Sequence, residues 1–276
     1  MYADLHLHSI YSDGTNTPVE LCALAQQNKI SVISITDHDS IDGIKALQSE
    51  SIPCELKIIP GTELSIFNNR KMIHILGYYI NIYDERLSSF INQMSDEVTR
   101  SNKANFEYAH SCKAFDYSWE RVLELNPGQS RISGSNIIKA MKIDNYHPHN
   151  MSLRDMYFKY FLYTSAEKYI SFSTLNEYDA VDVIKAIGGI PVIAHPKEIE
   201  DDGIVMKLVQ HGAMGLEIFH PSHSKGDVVK YKQIAEANNL YITGGTDWHG
   251  ENNRFNTSFG MYGLENSMYA FLTARS

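Results

Sequence analysis

The sequence is poor in cysteine: Cys22, Cys54 and Cys112 are scattered and odd in number, and no Cys-x-x-Cys pair occurs. That excludes a disulfide framework and is the usage expected of a reduced, cytoplasmic protein. No apolar run approaches the roughly 20 residues that span a bilayer, so no membrane association is expected. The N-terminus shows no basic region followed by an apolar stretch, and no signal peptide is expected. Neither a Gly-x-Ser-x-Gly nucleophile elbow nor a phosphate-binding P-loop is present, which removes two common routes to ester and phosphate chemistry. Basic residues are short as well, with 24 Lys and Arg against 33 Asp and Glu. A net charge of −9 does not suit an extended grip on duplex nucleic acid, which needs many Lys and Arg contacts. It suits solubility. It also leaves room for a small phosphorylated ligand wherever bound cations supply local positive charge.

What the sequence does have is a histidine pair at its start. In Asp-Leu-His-Leu-His-Ser, His6 and His8 stand two apart in a short strand-like run. Alternate residues of a strand share a face, so two imidazoles converge on one point, an arrangement that favours a metal ion over core packing.

The 276 residues, 43% of them apolar, are enough for one large α/β domain carrying an insertion. Residues 1–83 alternate strand and helix: strands at 2–6, 31–36, 57–63 and 72–79, helices at 18–28 and 40–50. Thr17 and Pro18 supply a helix cap and a first-turn proline. From 84 to 178 the strand signal disappears. Helices are predicted over 84–115, 119–125, 133–141 and 153–162, with breaks at Asn126-Pro127-Gly128 and His147-Pro148-His149. Alternation returns over 179–276, with helices at 180–187, 205–211 and 228–238 and strands at 190–194, 215–219 and 241–244. Strand–helix alternation predicts a mostly parallel sheet or barrel. Seven strands are one short of the standard eight-fold barrel, and an irregular seven-stranded barrel fits the count.

Ligand-type residues gather at the C-terminal ends of these strands, where parallel barrels build active sites. His6 and His8 follow the first strand, Asp37, His38 and Asp39 the second, and Glu63 the third. His74 lies within the fourth and His195 follows the fifth. Glu217 and His220 belong to the sixth, and Asp247 and His249 follow the last.

The series Asp-Leu-His-Leu-His-Ser…Ser-Asp-Gly, Thr-Asp-His-Asp, Gly-Thr-Glu, His-Ile-Leu-Gly-Tyr, Ala-His-Pro and Gly-Thr-Asp-Trp-His resembles the polymerase and histidinol phosphatase (PHP) family, with each motif in family order. The resemblance implies a distorted (β/α)7 barrel over 1–83 and 179–276, with a small all-helical insertion, or cap, over 84–178. It implies two or three divalent metal ions. His6, His8, Glu63 and Asp247 resemble the ligands of one. Glu63, His74 and His195 resemble those of a second, with Glu63 bridging, and Asp13, His38 and His249 those of a third. Carboxylates and imidazoles without thiolates suit Mn, Fe or Zn. Two ions about 3.5–4 Å apart can hold both the attacking and the leaving oxygen of a phosphate ester, and the resemblance implies that His6, His8, Glu63 and Asp247 carry a metal-bound hydroxide as nucleophile.

The insertion, with Gly-Leu-Glu-Ile-Phe-His-Pro-Ser-His-Ser, resembles the capped phosphoesterase subgroup. The expected substrate is thus a small phosphorylated one: a 3′,5′-bisphosphonucleoside or a short oligonucleotide 5′ end. Relatives carry a histidine near where Asn136 stands here. Arg131 and His223 are candidates for gripping phosphate oxygens. Asp37 and Asp39 are candidates for orienting metal-bound imidazoles. The aromatic run 157–163 suits core packing better than base stacking. Histidinol-phosphate phosphatase is the alternative enzymatic reading, and a non-catalytic metal- or nucleotide-binding module the alternative of another class. Oligomeric state is not legible.

Overall fold

The computed structural model describes residues 2–50, 55–68, 71–162, 165–166, 168–251 and 255–265. The chain divides into two compact units: residues 1–66, 73–88 and 177–276 form the first, and 67–72 with 89–176 the second.

The first unit is mixed α/β. Its strands are β1 (Tyr2–Leu7), β2 (Val32–Ile35), β3 (Lys57–Ile58), most of β4 (Gly61–Asn68) and of β5 (Lys71–Tyr78), β6 (Ile190–Ile193), β7 (Gly215–Phe219), β8 (Tyr241–Gly244) and β9 (Leu264–Glu265). Its helices include α1 (Pro18–Gln27), capped by a reciprocal Thr17–Glu20 box, and the short α2 (Asp42–Ala46). The strands form two sheets, ordered β3-β2-β1-β9 and β4-β5-β6-β7-β8. Isolated parallel bridges Leu7–Trp248 and His38–Glu63 link one sheet to the other. Leu5, Leu7, Ile33, Ile35, Leu76 and Val192 are all buried, so the strands read as apolar on both sides where ligands do not interrupt them.

Two departures from the sequence reading matter for the site. The expected strand 57–63 is two strands in different sheets. Ile59 N–H still donates to Ile33 O at 2.9 Å, but Pro60 has no N–H to continue the ladder. Gly61 then passes so near β2 that an added Cβ would lie 2.3 Å from Ser34 Oγ. The second departure is β5, which runs antiparallel to β6. His74 therefore reaches the site from the first half of its strand rather than from the C-terminal end. Strand β9, with only two residues and antiparallel to β1, was not visible in the pattern.

The second unit contains most of α3 (Glu85–Ser111), then α4 (Trp119–Glu124), α5 (Gly134–Ile143) and α6 (Leu153–Met156). The helix expected over 153–162 changes to a π-helical turn at Tyr157–Phe161, closed by Leu162 N–H to Tyr157 O at 2.9 Å. Phe106, Phe115, Val122, Ile137, Met141, Met156, Tyr160 and Phe161 make its core. The aromatic run thus packs inward at Tyr160 and Phe161, while Tyr163 lies outside the described residues. Along α3, Glu97, Ser101 and Asn105 hold a backbone strap. Thr174 N–H donates to Glu97, Phe172 N–H to Ser101, and Ile170 N–H to Asn105, whose amide returns a bond to Ile170 O. Four helical residues rise about 6 Å, and two extended residues span about 6.6 Å, so the two repeats nearly match.

The remaining helices, α7 (Asp179–Ala186), α8 (Asp202–His211) and α9 (Lys225–Ala237), return to the first unit and alternate with β6 to β8. Asp201 caps α8, Gly212 ends it at φ 116°, and a Ser224–Asp227 box caps α9.

Candidate metal centre

Local backbone features aim the side chains. The β1–β2 register slips by one residue between Asp4 and Leu7, the interval that contains His6. A second irregularity lies between Glu217 and Phe219 of β7. At the end of β8, Gly245 lies against β1, where an added Cβ would stand 2.3 Å from His6 Cβ. Buried Asp4 accepts the backbone N–H of Thr246 at 3.0 Å and also takes its hydroxyl. The next residue, Asp247, sits at φ 49°, and His195 at φ 24°. Left-handed backbone at two non-glycine residues is strain of the kind found where side chains must be aimed.

Fully buried Glu63 is the centre of the cluster. Its Oε2 lies 3.1 Å from His6 Nε2, 3.2 Å from His8 Nε2 and 3.2 Å from His38 Nδ1. Its Oε1 lies 2.9 Å from His74 Nδ1 and 3.1 Å from His195 Nε2. Asp247 Oδ1 stands 3.1 Å from His8 Nε2 and 3.4 Å from His6 Nε2. Farther out, His249 Nε2 is 3.1 Å from Asp13 Oδ1, and the His8 and His249 rings stack at 4.1 Å.

Among the described residues, four groups of donor atoms are compact enough to hold an ion: His6, His8, Glu63 and Asp247; His38, Glu63 and His74; His8, Asp13, His38 and His249; and His6, Glu217 and His220. Of the nine expected ligands, His6, His8, Asp13, His38, Glu63, His74, Asp247 and His249 fall in these groups, and His195 joins them only through its approach to Glu63 Oε1. The donor set fits divalent cations on two counts. Ligand atoms about 2.1 Å from an ion stand roughly 3.0–3.4 Å from each other in octahedral or tetrahedral geometry, which is the spacing around Glu63. Second, the buried atoms His8 Nε2, His38 Nδ1 and Asp13 Oδ1 lie close to oppositely charged groups yet make no hydrogen bond of good geometry with them. Five imidazoles also exceed the roughly four lone-pair directions of one carboxylate.

The electrostatics say the same. Burial alone raises a carboxyl pKa, yet the surrounding imidazoles hold Glu63 and Asp247 well below the usual range, and the His249 and His38 imidazoles do so for Asp13. Burial alone lowers an imidazole. At His249 it is outweighed by Asp13 and Asp247, which push the pKa to about 10, and at His195 by Glu63 and nearby carboxylates, which push it to about 9. At His38 burial prevails and the imidazole is driven well below its usual value. Protons thus sit on imidazoles whose carboxylate surroundings are built for positive charge.

The other candidates divide. Asp37 accepts from Ser9 N–H, Ser9 Oγ and Ser12 Oγ, each at 2.7 Å, and Asp39 accepts Ser65 N–H at 2.7 Å. Both carboxylates hold loop groups, and Ser12 Oγ, which donates to Asp37, also lies 3.5 Å from His8 Nδ1. Glu217 does the orienting, with Oε1 2.9 Å from His6 Nδ1. Its signal in the sequence was a glutamate in the middle of an apolar strand. His223 Nδ1 lies 2.7 Å from Ile218 O, and a carbonyl only accepts, so Nδ1 carries the proton and Nε2 a lone pair. Burial lowers its pKa. His220 Nε2 lies 3.4 Å from Asp247 Oδ2. Arg131 belongs to the second unit, just before α5. Asn136 is buried there and closes the α5 capping box with Ser133, donating also to Asn126, which is a structural role.

Comparison with known proteins adds the following. A family model for the PHP domain matches residues 4–179. A phosphoribosyl 1,2-cyclic phosphate 1,2-diphosphodiesterase of Eggerthella lenta is 26% identical over 255 residues, 91% of this chain and 95% of that protein. A 3′,5′-nucleoside bisphosphate phosphatase of Chromobacterium violaceum is 26% identical, covering 89% of this chain and 86% of its own. A 5′-3′ exoribonuclease of Escherichia coli is 26% identical over 89% of this chain and 84% of its own. In fold, the chain is similar to a Bifidobacterium adolescentis protein assigned as a metal-dependent phosphoesterase, with TM-score 0.81, 23% identity, and coverage of 99% of this chain and 96% of that one.

Proposed function

Because this chain belongs to the PHP-domain family, we propose that it hydrolyses a small phosphorylated nucleotide, with a nucleoside 3′,5′-bisphosphate or a short oligonucleotide 5′ end as the type substrate. It is a metal-dependent phosphoric ester hydrolase. The seven strands β1, β2 and β4 to β8, joined through the Leu7–Trp248 and His38–Glu63 bridges, are read as a distorted (β/α)7 barrel, and residues 84–178 as its helical insertion.

The observation that carries the reading is the set of five imidazoles around Glu63, flanked by Asp247 and Asp13. His6, His8, Glu63 and Asp247 would hold one ion, Glu63, His74 and His195 a second, and Asp13, His38 and His249 a third, with His8 and His38 near enough to be shared. Bound there, Mn, Fe or Zn ions supply Lewis acidity and an activated nucleophile at neutral pH. The protein's own groups do the rest. Glu63 would offer Oε2 on the side of His6, His8 and His38 and Oε1 on the side of His74 and His195. His8 and Asp247 close the site from β1 and from the end of β8. His223 holds a lone pair at Nε2, and the negative charge of a bound phosphate raises its proton affinity, turning it into a donor to a phosphate oxygen. Arg131, in the second unit, is a phosphate-gripping candidate on the chemistry of its planar fork alone. The names of the relatives support the nucleotide class, since they specify a nucleoside bisphosphate, a phosphoribosyl cyclic phosphate and RNA.

The test is phosphate release by Mn²⁺-reconstituted protein from a 3′,5′-bisphosphonucleoside, beside a phosphoribosyl cyclic phosphate, histidinol phosphate and a 5′-phosphorylated oligonucleotide. Selective turnover of the bisphosphonucleoside or of the oligonucleotide is the expected result, and the two lanes separate a nucleotidase from an exonuclease. Preference for histidinol phosphate, or no release from any lane by ion-loaded protein, overturns the reading.

A further inference from the structure

Glu217 is an ionisable side chain in the middle of β7, between Leu216 and Ile218, and all three are fully buried. A carboxylate in such a place is costly unless both oxygens are engaged. Both are. Oε1 lies 2.9 Å from His6 Nδ1, and Oε2 accepts the backbone N–H of His195 at 2.8 Å. The first bond sets the His6 tautomer: with the proton on Nδ1, the Nε2 lone pair faces Glu63 Oε2 and Asp247 Oδ1. The second restrains a residue at φ 24°, where an L side chain is rarely found, and leaves His195 Nε2 facing Glu63 Oε1. His6 belongs to the ion position on the Oε2 side of Glu63, and His195 to the position on the Oε1 side. One buried carboxylate therefore grips a ligand of each.

We propose that Glu217 is a positioning residue that couples the two ion positions, setting their spacing by clamping His6 through its ring and His195 through its backbone. The inference rests on the ligand reading given under the proposed function. It assigns Glu217 no contact with an ion. The rival arrangement, Glu217 with His6 and His220 as an ion site of its own, would require Oε1 to give up its bond to His6 Nδ1.

The chemistry of the test follows from counting acceptors. Glutamine conserves the volume but has one acceptor oxygen, so Glu217→Gln keeps one of the two bonds and loses the other. Apoprotein of the wild type and of Glu217→Gln is titrated with Mn²⁺, following free and bound ion by electron paramagnetic resonance, with Glu217→Asp as a second variant should the first not fold. The expected result is full stoichiometry, with two ions weakened together by about 10–100-fold, the usual effect of removing a residue that orients ligands. The exchange-coupled signal of the ion pair should weaken at the same time. In addition, the ¹⁵N shifts of His6 should move from a single tautomer toward a mixture. Unchanged isotherms and coupling overturn the proposal, as does loss of one ion outright with the rest unaffected, which would make Glu217 a ligand. A wild-type protein that binds no Mn²⁺ overturns the ligand reading itself, so the two failures are distinguishable.

Discussion

At the scale of single residues, the chemistry depends on groups that leave little slack. Replacing His8 or Asp247 with Ala removes a donor shared with Glu63. Turnover should fall by roughly 10³-fold or more, because a Lewis acid is worth several kcal/mol of barrier. The fold should persist by circular dichroism, and retained turnover in both variants would refute the assignment. Proton linkage gives an independent check. His249, at about 10, and His195, at about 9, carry protons at neutral pH in the ion-free protein, and an imidazole must be neutral to ligate. Ion binding at pH 7 should release at least two protons, read by calorimetry in buffers of different ionisation enthalpy. Affinity should weaken as the pH falls. The raised pKa values also mean that the folded, ion-free protein binds more protons than the unfolded chain between about pH 6.5 and pH 9–10. Its stability from these groups is therefore present below that window and is lost as pH rises through it.

At the scale of elements, β1 and the end of β8 are tied by Asp4, which burial pushes up to about 6 against the bonds from Thr246 and His6. Its folded pKa is above the ordinary value of 3.8, so the folded state gains protons and its contribution to stability declines as pH rises from 4 through 6. Asp4→Asn, which titrates in neither state, should flatten that decline by up to roughly 3 kcal/mol across the window, measured by urea unfolding at several pH values. In the second unit, Asn105→Ala strips the partner from both backbone groups of Ile170. A loss of about 1–3 kcal/mol and faster proteolysis near 170 should follow, by the usual cost of an unsatisfied buried group. Elements also set the limit of what could be read beforehand. The strand–helix alternation, the capped α1 and the ligand-bearing strand ends were legible because period, caps and histidine spacing are local signals. The break at Pro60, the reversed β5 and the two-residue β9 were not. They depend on which strand lies alongside, and β5 carries the same apolar pattern in either direction. The grouping of nine ligand types was likewise legible, but Glu217 was not assigned its place between His6 and His195. Nor could the loop-holding roles of Asp37 and Asp39 be told from ligand orientation, since a carboxylate beside a histidine serves either purpose.

At the scale of the whole molecule, ions that bind only the folded state stabilise it by mass action, by about 2.7 kcal/mol per site at a hundred times Kd. Saturating Mn²⁺ should raise the melting temperature by several degrees, and a chelator should reverse the gain, with the midpoint following ion concentration. A melting temperature indifferent to both would show that the carboxylates and imidazoles hold together by protons alone. The strand order has a further consequence for biosynthesis. His6 and His8 leave the ribosome about 240 residues ahead of Trp248, which Leu7 bridges, and of the donors Asp247 and His249. At about 5–20 residues per second, roughly 10–50 s separate the two ends of the site. The early His-x-His pair meets Glu63 soon after it is made but must wait that long for Asp247, so loading of the proposed ion site would follow synthesis of β8.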